Sequence, residues 1–207
     1  AAAWHLSTLV WEKEFIMAVF TVIDHQELGA SAWSPNGSTD MTIWQKGSIP
    51  ASYDHLLLEA SLRSSASAYW QNLWVRVGGV SDSGLDTNGV YSSTNLSSIN
   101  SSSPVSTNAT SQTKWAYQYI AAATVVAGAF GTLKIWFPNY SNTSFNKSVI
   151  IQTVVAQHAT FAAESNVTQT AGMWASTEAI TDIGVSEPNS GMIQYSSFTL
   201  YGIKGVA

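Results

Sequence analysis

Residues 53–63 have the sequence YDHLLLEASLR, and this stretch decides the fold class. Its alternate positions are all apolar: Leu56, Leu58, Ala60 and Leu62. The positions between them are polar or charged, with Leu57 as the one apolar exception. Because alternate residues of a β-strand point to the same face, this pattern predicts a strand with one buried face.

The same alternation recurs along the chain between turn signals. In two further segments the predicted buried faces are Leu73/Val75/Val77 and Leu133/Ile135/Phe137. Other strands are predicted at about 17–23, 41–47, 114–121, 148–157, 167–174, 179–185 and 196–203. Short alternating segments of this kind predict an all-β protein, a jelly-roll-like β-sandwich of roughly eight to ten antiparallel strands with an N-terminal arm.

Composition supports this fold class and excludes several functions. Ser, Thr and Asn make up 60 of the 207 residues, which suits pleated surfaces and turns. Charged residues are only 10% of the chain, against a usual level of about 25%. Eight cations in a chain of net charge −5 form no basic stripe, so we expect no nucleic-acid partner and no membrane partner. The absence of cysteine excludes disulfides and thiolate chemistry.

The first sixteen residues differ from the rest of the chain. They lack the strand alternation and carry seven sizeable apolar side chains. We therefore predict two parts, an N-terminal arm over residues 1–16 and a β-sandwich over residues 17–207. A free tail of this composition would tend to aggregate, so the arm is predicted to contact another subunit or the shell through Trp4, Trp11 and Phe15. The alternative is that the arm folds back on its own sandwich and closes an exposed sheet edge.

Residues 81–113 form a second unusual segment. Of these 33 residues, 20 are Ser, Thr or Asn, and none is Lys or Arg. So little apolar content predicts a long loop within the sandwich domain. Asp82, Asp86 and Asn88 offer oxygen ligands, but their spacing matches a calcium loop poorly, so no metal site is predicted.

Catalytic motifs are hard to find. The four histidines lack metal-ligand spacing, and no nucleophile elbow is present. We therefore predict no enzyme activity, no catalytic residue and no cofactor. Trp70 and Trp74 lie opposite the Leu73/Val75/Val77 face, and three explanations stay open for them: core packing, a subunit interface or stacking against a sugar ring.

Several stretches together resemble a known family. They are IPASYDHL at 49–56, SSAS at 64–67, FPNY at 137–140, GMW at 172–174 and FTLYGI at 198–203. In this order and spacing they resemble small virion structural proteins of tailed bacteriophages, of the capsid decoration or fibre type. The similarity runs from about residue 20 to residue 203.

This resemblance implies a β-sandwich or jelly-roll structural protein without catalytic residues. Within such a family, we expect a non-enzymatic decoration or cement protein on the capsid exterior. Its expected partners are copies of itself, in a homotrimer, and the major capsid protein. The alternative is a receptor- or glycan-binding module of a tail fibre or head fibre, with a host-surface glycan as ligand. A glycan-active enzyme is the third hypothesis.

Overall fold

A computed structural model describes residues 19–29, 41–79, 84–99, 105–155, 166–188 and 190–205. Within these residues the protein consists of β-strands in two antiparallel sheets that pack as a sandwich. The prediction of an all-β sandwich is confirmed. None of the described segments is a helix of the length and hydropathy needed to span a membrane. The arm over residues 1–16, with its predicted contacts Trp4, Trp11 and Phe15, lies outside the described residues.

Twelve strands are present in the described part of the chain, and they follow one another without intervening helices. They are β1 (Val19–Glu27), β2 (Met41–Lys46), β3 (His55–Leu62), β4 (Trp70–Gly78), β5 (Tyr91–Ile99), β6 (Val105–Gln112), β7 (Trp115–Ala121), β8 (Gly131–Pro138), β9 (Lys147–Val155), β10 (Asn166–Trp174), β11 (Asp182–Glu187) and β12 (Ser197–Lys204). The larger sheet has the order β1-β12-β3-β8-β9-β10-β5-β6, and the smaller one β2-β11-β4-β7.

The core lies between the two sheets. All nine residues predicted for it from strand alternation are fully buried: Leu56, Leu58, Leu62, Leu73, Val75, Val77, Leu133, Ile135 and Phe137. They belong to one continuous hydrophobic cluster, as predicted. Near β1 the sheets are joined by Trp44, whose ring stacks on Phe198 with centroids 5.5 Å apart. At the other end β7 packs across β8, β9, β10 and β5.

The prediction of a long loop over residues 81–113 is wrong for most of that segment. Residues 91–99 and 105–112 form β5 and β6, a hairpin at the edge of the larger sheet. The strands form because β5 pairs along its whole length with β10. The backbone hydrogen bonds of this pairing stabilise β5 although its sequence lacks a strong apolar alternation. Tyr91 anchors the start of β5: it is fully buried, and its hydroxyl donates to the Val77 carbonyl at 2.9 Å.

Two hairpins enlarge the larger sheet on one side. The β5–β6 hairpin comes between β4 and β7 in the chain, and the β9–β10 hairpin comes between β8 and β11. Both add to the larger sheet beyond β8, so that sheet has eight strands and the smaller one four. The more specific jelly-roll assignment stays a prediction.

Candidate interaction surfaces

Side chains that alternate with the core residues cover the side of the larger sheet that faces away from the smaller sheet. We call this side the outer face. A single row of directly opposed residues crosses it from β1 to β6: Val22, Tyr201, Leu57, Trp136, Ile150, Ala171, Thr94 and Asn108. The outer face therefore extends across all eight strands as one continuous surface.

The outer face is unusually apolar for a surface. Seven of its large hydrophobic side chains are between 40% and 58% exposed: Phe20, Val22, Leu96, Ile150, Val154, Val167 and Met173. An antiparallel sheet with one solvated side normally carries polar residues there. Leu57, the apolar exception in the predicted pattern of β3, also lies on this face, where it is only 6% exposed between Tyr201 and Trp136. Contiguous exposed apolar surface of this kind is typical of an interaction site.

Very few charges interrupt this surface. Among the described strands, the charged residues of the outer face are Glu27, Glu59 and Lys134. Glu59 and Lys134 neutralise each other across neighbouring strands, with a carboxylate oxygen 3.3 Å from the ammonium nitrogen. Charges are depleted at the centres of protein interfaces because burying them is costly. The outer face is depleted of charged residues in the same way.

The two halves of the outer face carry different side chains. The β1 side has aromatic rings, and Phe20 packs edge-on against Tyr201 with ring centroids 6.3 Å apart. On the β6 side the described outer-face residues include no aromatic ring, although Leu96, Val167 and Met173 are 40–53% exposed there. This side also contains a shallow hollow of about 420 Å³, whose lining on the outer face includes Ser92, Thr94, Asn108 and Ala171. We call the half with the rings the bulky half and the half with the hollow the recessed half.

Trp70 and Trp74 lie on the opposite side of the molecule, on the exposed side of the smaller sheet. Both are half-buried rather than part of the core. Trp70 meets Tyr119 edge-to-face at 4.6 Å, and the Lys114 ammonium lies 2.9 Å from the centroid of the Trp74 ring. Trp70 also borders a pocket of about 530 Å³, which is lined by Ser67, Ala68, Tyr69, Trp70, Gln71 and Thr124.

A buried carboxylate lies close to this pocket. Glu187 is fully buried and accepts hydrogen bonds from the Ser64 hydroxyl at 3.0 Å and from the Ser190 backbone N–H at 2.6 Å. Burial raises the pKa of the Glu187 carboxyl above its ordinary value. Gln71, which lines the pocket, hydrogen-bonds to the Ser190 hydroxyl at 3.5 Å. Ser190 thus connects the Glu187 carboxylate to Gln71 in the pocket lining.

The described histidines and the described members of the calcium candidate, Asp86 and Asn88, serve the fold, whereas Asp82 lies outside the described residues. His25 shares a 2.8 Å hydrogen bond with the Thr199 hydroxyl, and His55 accepts one from the Asn139 backbone N–H at 3.0 Å. Asp86 accepts hydrogen bonds from the Trp174 indole and the Asn88 backbone N–H, both at 2.9 Å. Its carboxylate therefore closes a turn. Among the described residues, no group of three or more metal-ligating side chains comes together.

Sequence reasoning missed the outer face, although β9 carried a signal for it. Val149 and Ile151 point into the core, while Ile150 and Val154 lie on the outer face. The strand is thus apolar on both sides, a pattern typical of strands that are covered on both faces.

No protein-family model, curated protein or solved structure matches this chain.

Proposed function

We propose that this protein is a non-enzymatic structural component of a bacteriophage virion, a decoration or cement protein on the capsid exterior. The observation that carries the proposal is the outer face, an eight-stranded surface whose described residues include seven exposed large apolar side chains and three charged residues. A surface of this size and composition suits a subunit that is held in a large assembly.

The strand order supports a jelly-roll core for this role. Without the two inserted hairpins, eight strands remain in two four-stranded sheets, β1-β12-β3-β8 and β2-β11-β4-β7. Six of the seven connections between consecutive members of this set pass from one sheet to the other; only β4 to β7 stays in the same sheet. We infer a jelly roll from this repeated crossing. Jelly rolls occur in viral capsid proteins and in lectins, so the fold suits both a capsid role and a glycan-binding role.

The proposed partners are copies of the same chain, in a homotrimer, and the major capsid protein. In this scheme the arm over residues 1–16 attaches the subunit to a neighbour or to the shell below. Its apolar side chains each contribute about 1.5–3 kcal/mol when fully buried, enough for two of them to offset much of the cost of ordering a short segment.

A rebinding experiment tests this role. Virus particles depleted of the protein are incubated with the full chain and with a truncated chain that begins at Met17, and occupancy is measured by gel densitometry. We expect the full chain to rebind at a copy number comparable to that of the major capsid protein. The truncated chain should melt cooperatively but fail to rebind. Full rebinding of the truncated chain would refute the role of the arm, and failure of the full chain to bind would refute the capsid function.

The second candidate is a receptor- or glycan-binding module of a tail or head fibre. The pocket beside Trp70 favours it, because Tyr69 is 42% exposed there and Gln71 and Ser67 place polar groups beside the two rings. Aromatic rings with neighbouring hydrogen-bonding groups suit a sugar ring. Titration with host-surface glycans tests this candidate. Trp70→Ala should abolish binding, whereas Tyr195→Ala, which changes another exposed ring, should preserve it.

A further inference from the structure

The two halves of the outer face are complementary in shape. The bulky half near β1 carries the rings of Phe20 and Trp136, while Thr94 and Ala171 border the hollow in the recessed half near β6. A bulky half fits a recessed half better than it fits another bulky half, because packed interfaces leave few voids. One chain cannot bring its own two halves together, since they lie on the same sheet.

The size of the outer face matches the requirement of a stable protein interface. Seven spacings of about 4.8 Å between eight strands give a width of about 34 Å. Strands of eight residues at about 3.4 Å per residue give a length of about 27 Å, so the face covers about 900 Å². Standard interfaces bury about 800 Å² on each partner. The outer face is therefore large enough to hold a partner by itself.

We propose that the outer face of the larger sheet is covered by a second copy of this chain, with the bulky half of one copy packed on the recessed half of the other. The contact also suits the charges, because Glu59 and Lys134 already neutralise each other within one copy. This inference assigns a surface to the self-association that the proposed function includes, and it holds whether or not the protein belongs to a virion.

The native mass of the purified full chain provides the first test. Sedimentation equilibrium should show a dimer or a trimer. Phe20→Lys changes the bulky half and Thr94→Lys the recessed half, and both positions are exposed in the single chain, so the fold tolerates them. Each variant should raise the dissociation constant at least about 30-fold, the effect of losing an interface hot spot.

Tyr195→Lys is the matched control. Tyr195 is 62% exposed in the turn before β12 and belongs to none of the strands that form the outer face, so this variant should associate like the wild type. Circular dichroism of all three variants confirms that a loss of association is not a loss of folding. A wild-type chain that is monomeric at every concentration would overturn the proposal, because residues 1–18 or an unrelated partner would then cover the face. Unchanged association of Phe20→Lys and Thr94→Lys would overturn it too.

Crosslinking tests the orientation of the two halves. The natural chain has no cysteine, so introduced cysteines give an unambiguous signal. Val22 and Asn108 lie at opposite ends of one row, about 34 Å apart by strand spacing, too far for a bond within one copy. A flexible bismaleimide should link Val22→Cys/Asn108→Cys chains to each other, and should leave each single variant unlinked. Crosslinking of either single variant would show that like halves meet, and an unlinked double variant would show that Val22 and Asn108 of two copies do not meet; each result would overturn the proposed pairing.

Discussion

Replacing Gly172 with alanine tests the packing between the two sheets. Gly172 lies within β10, and the indole of Trp115 on β7 packs directly against it. An added Cβ atom would lie 2.6 Å from the Trp115 indole nitrogen and 2.9 Å from a Val149 methyl carbon. Real Cβ atoms do not approach other atoms so closely, so one of these neighbours has to move.

Trp115 has little freedom to do so. Its side chain is 1% exposed, its indole N–H donates to the Ser92 carbonyl at 3.2 Å, and its ring meets Tyr91 edge-to-face at 4.9 Å. Overpacking of this kind costs about 1–3 kcal/mol, and loss of the indole hydrogen bond adds about 1 kcal/mol. Alanine also restricts the unfolded chain more than glycine does, which offsets about 0.4–1 kcal/mol of this destabilisation. We therefore expect a net loss of about 2 kcal/mol, which for a chain of this size lowers Tm by about 4–8 °C.

Scanning calorimetry of the wild type and the variant measures this change. Gly29→Ala is the matched control, because a Cβ atom there would meet nothing within 4 Å and stability should change by less than about 0.5 kcal/mol. Trp115→Phe in the Gly172→Ala background should recover part of the loss, since a smaller ring leaves room for the methyl group. Equal stability of Gly172→Ala and the wild type would refute the close packing of Trp115 on β10.

Three further predictions concern single buried side chains. Leu58→Asp should abolish the cooperative urea transition, because an unpaired carboxylate in the core costs several kcal/mol of a total unfolding free energy of about 5–15 kcal/mol. Ser61→Asp, at an exposed position of the same strand, should fold. Burial raises the pKa of Glu187, so the protonated carboxyl stabilises the fold at acidic pH, and this contribution is lost as pH rises through the raised pKa. Glutamine stays neutral at every pH, so the Tm of Glu187→Gln should rise relative to that of the wild type from acidic to neutral pH. Arg63 donates to three carbonyls of the 122–129 loop at 3.1 Å each, so Arg63→Lys should lower stability by about 2 kcal/mol and speed hydrogen exchange in that loop.

The core residues of the strands were predictable because burial of one strand face leaves an alternation of apolar and polar residues in the sequence. Leu73, Val75 and Val77 alternate with polar residues, and all three are fully buried. The same criterion failed for β5, where Tyr91 and Leu96 are the only large apolar residues whose side chains are described, and Leu96 is 50% exposed. Strand formation there depends on backbone pairing with β10, and pairing of distant segments leaves no local pattern in a sequence.

The outer face was harder to predict because alternation identifies the more apolar side of a strand and says nothing of the other side. Val22 and Val167 are exposed by 56% and 53%, yet each belongs to a strand that looks ordinary by itself. Only the strand order places them on one surface, since β1 and β10 are far apart in the chain and lie in the same sheet. A surface of this kind is a property of the topology and therefore emerges only from the folded structure.

The unusual composition of residues 81–113 has a physical explanation in this arrangement. Small neutral side chains such as Ser92, Thr94 and Asn108 keep the outer face recessed, where larger residues would fill the hollow. Charged side chains there would keep the sheet soluble but would have to be desolvated when a partner covers it, at a cost of several kcal/mol each. Hydroxyl and amide groups cost less to bury and can still hydrogen-bond across a contact. A segment that resembles a disordered linker in composition is thus suited to be the receiving half of a self-association surface.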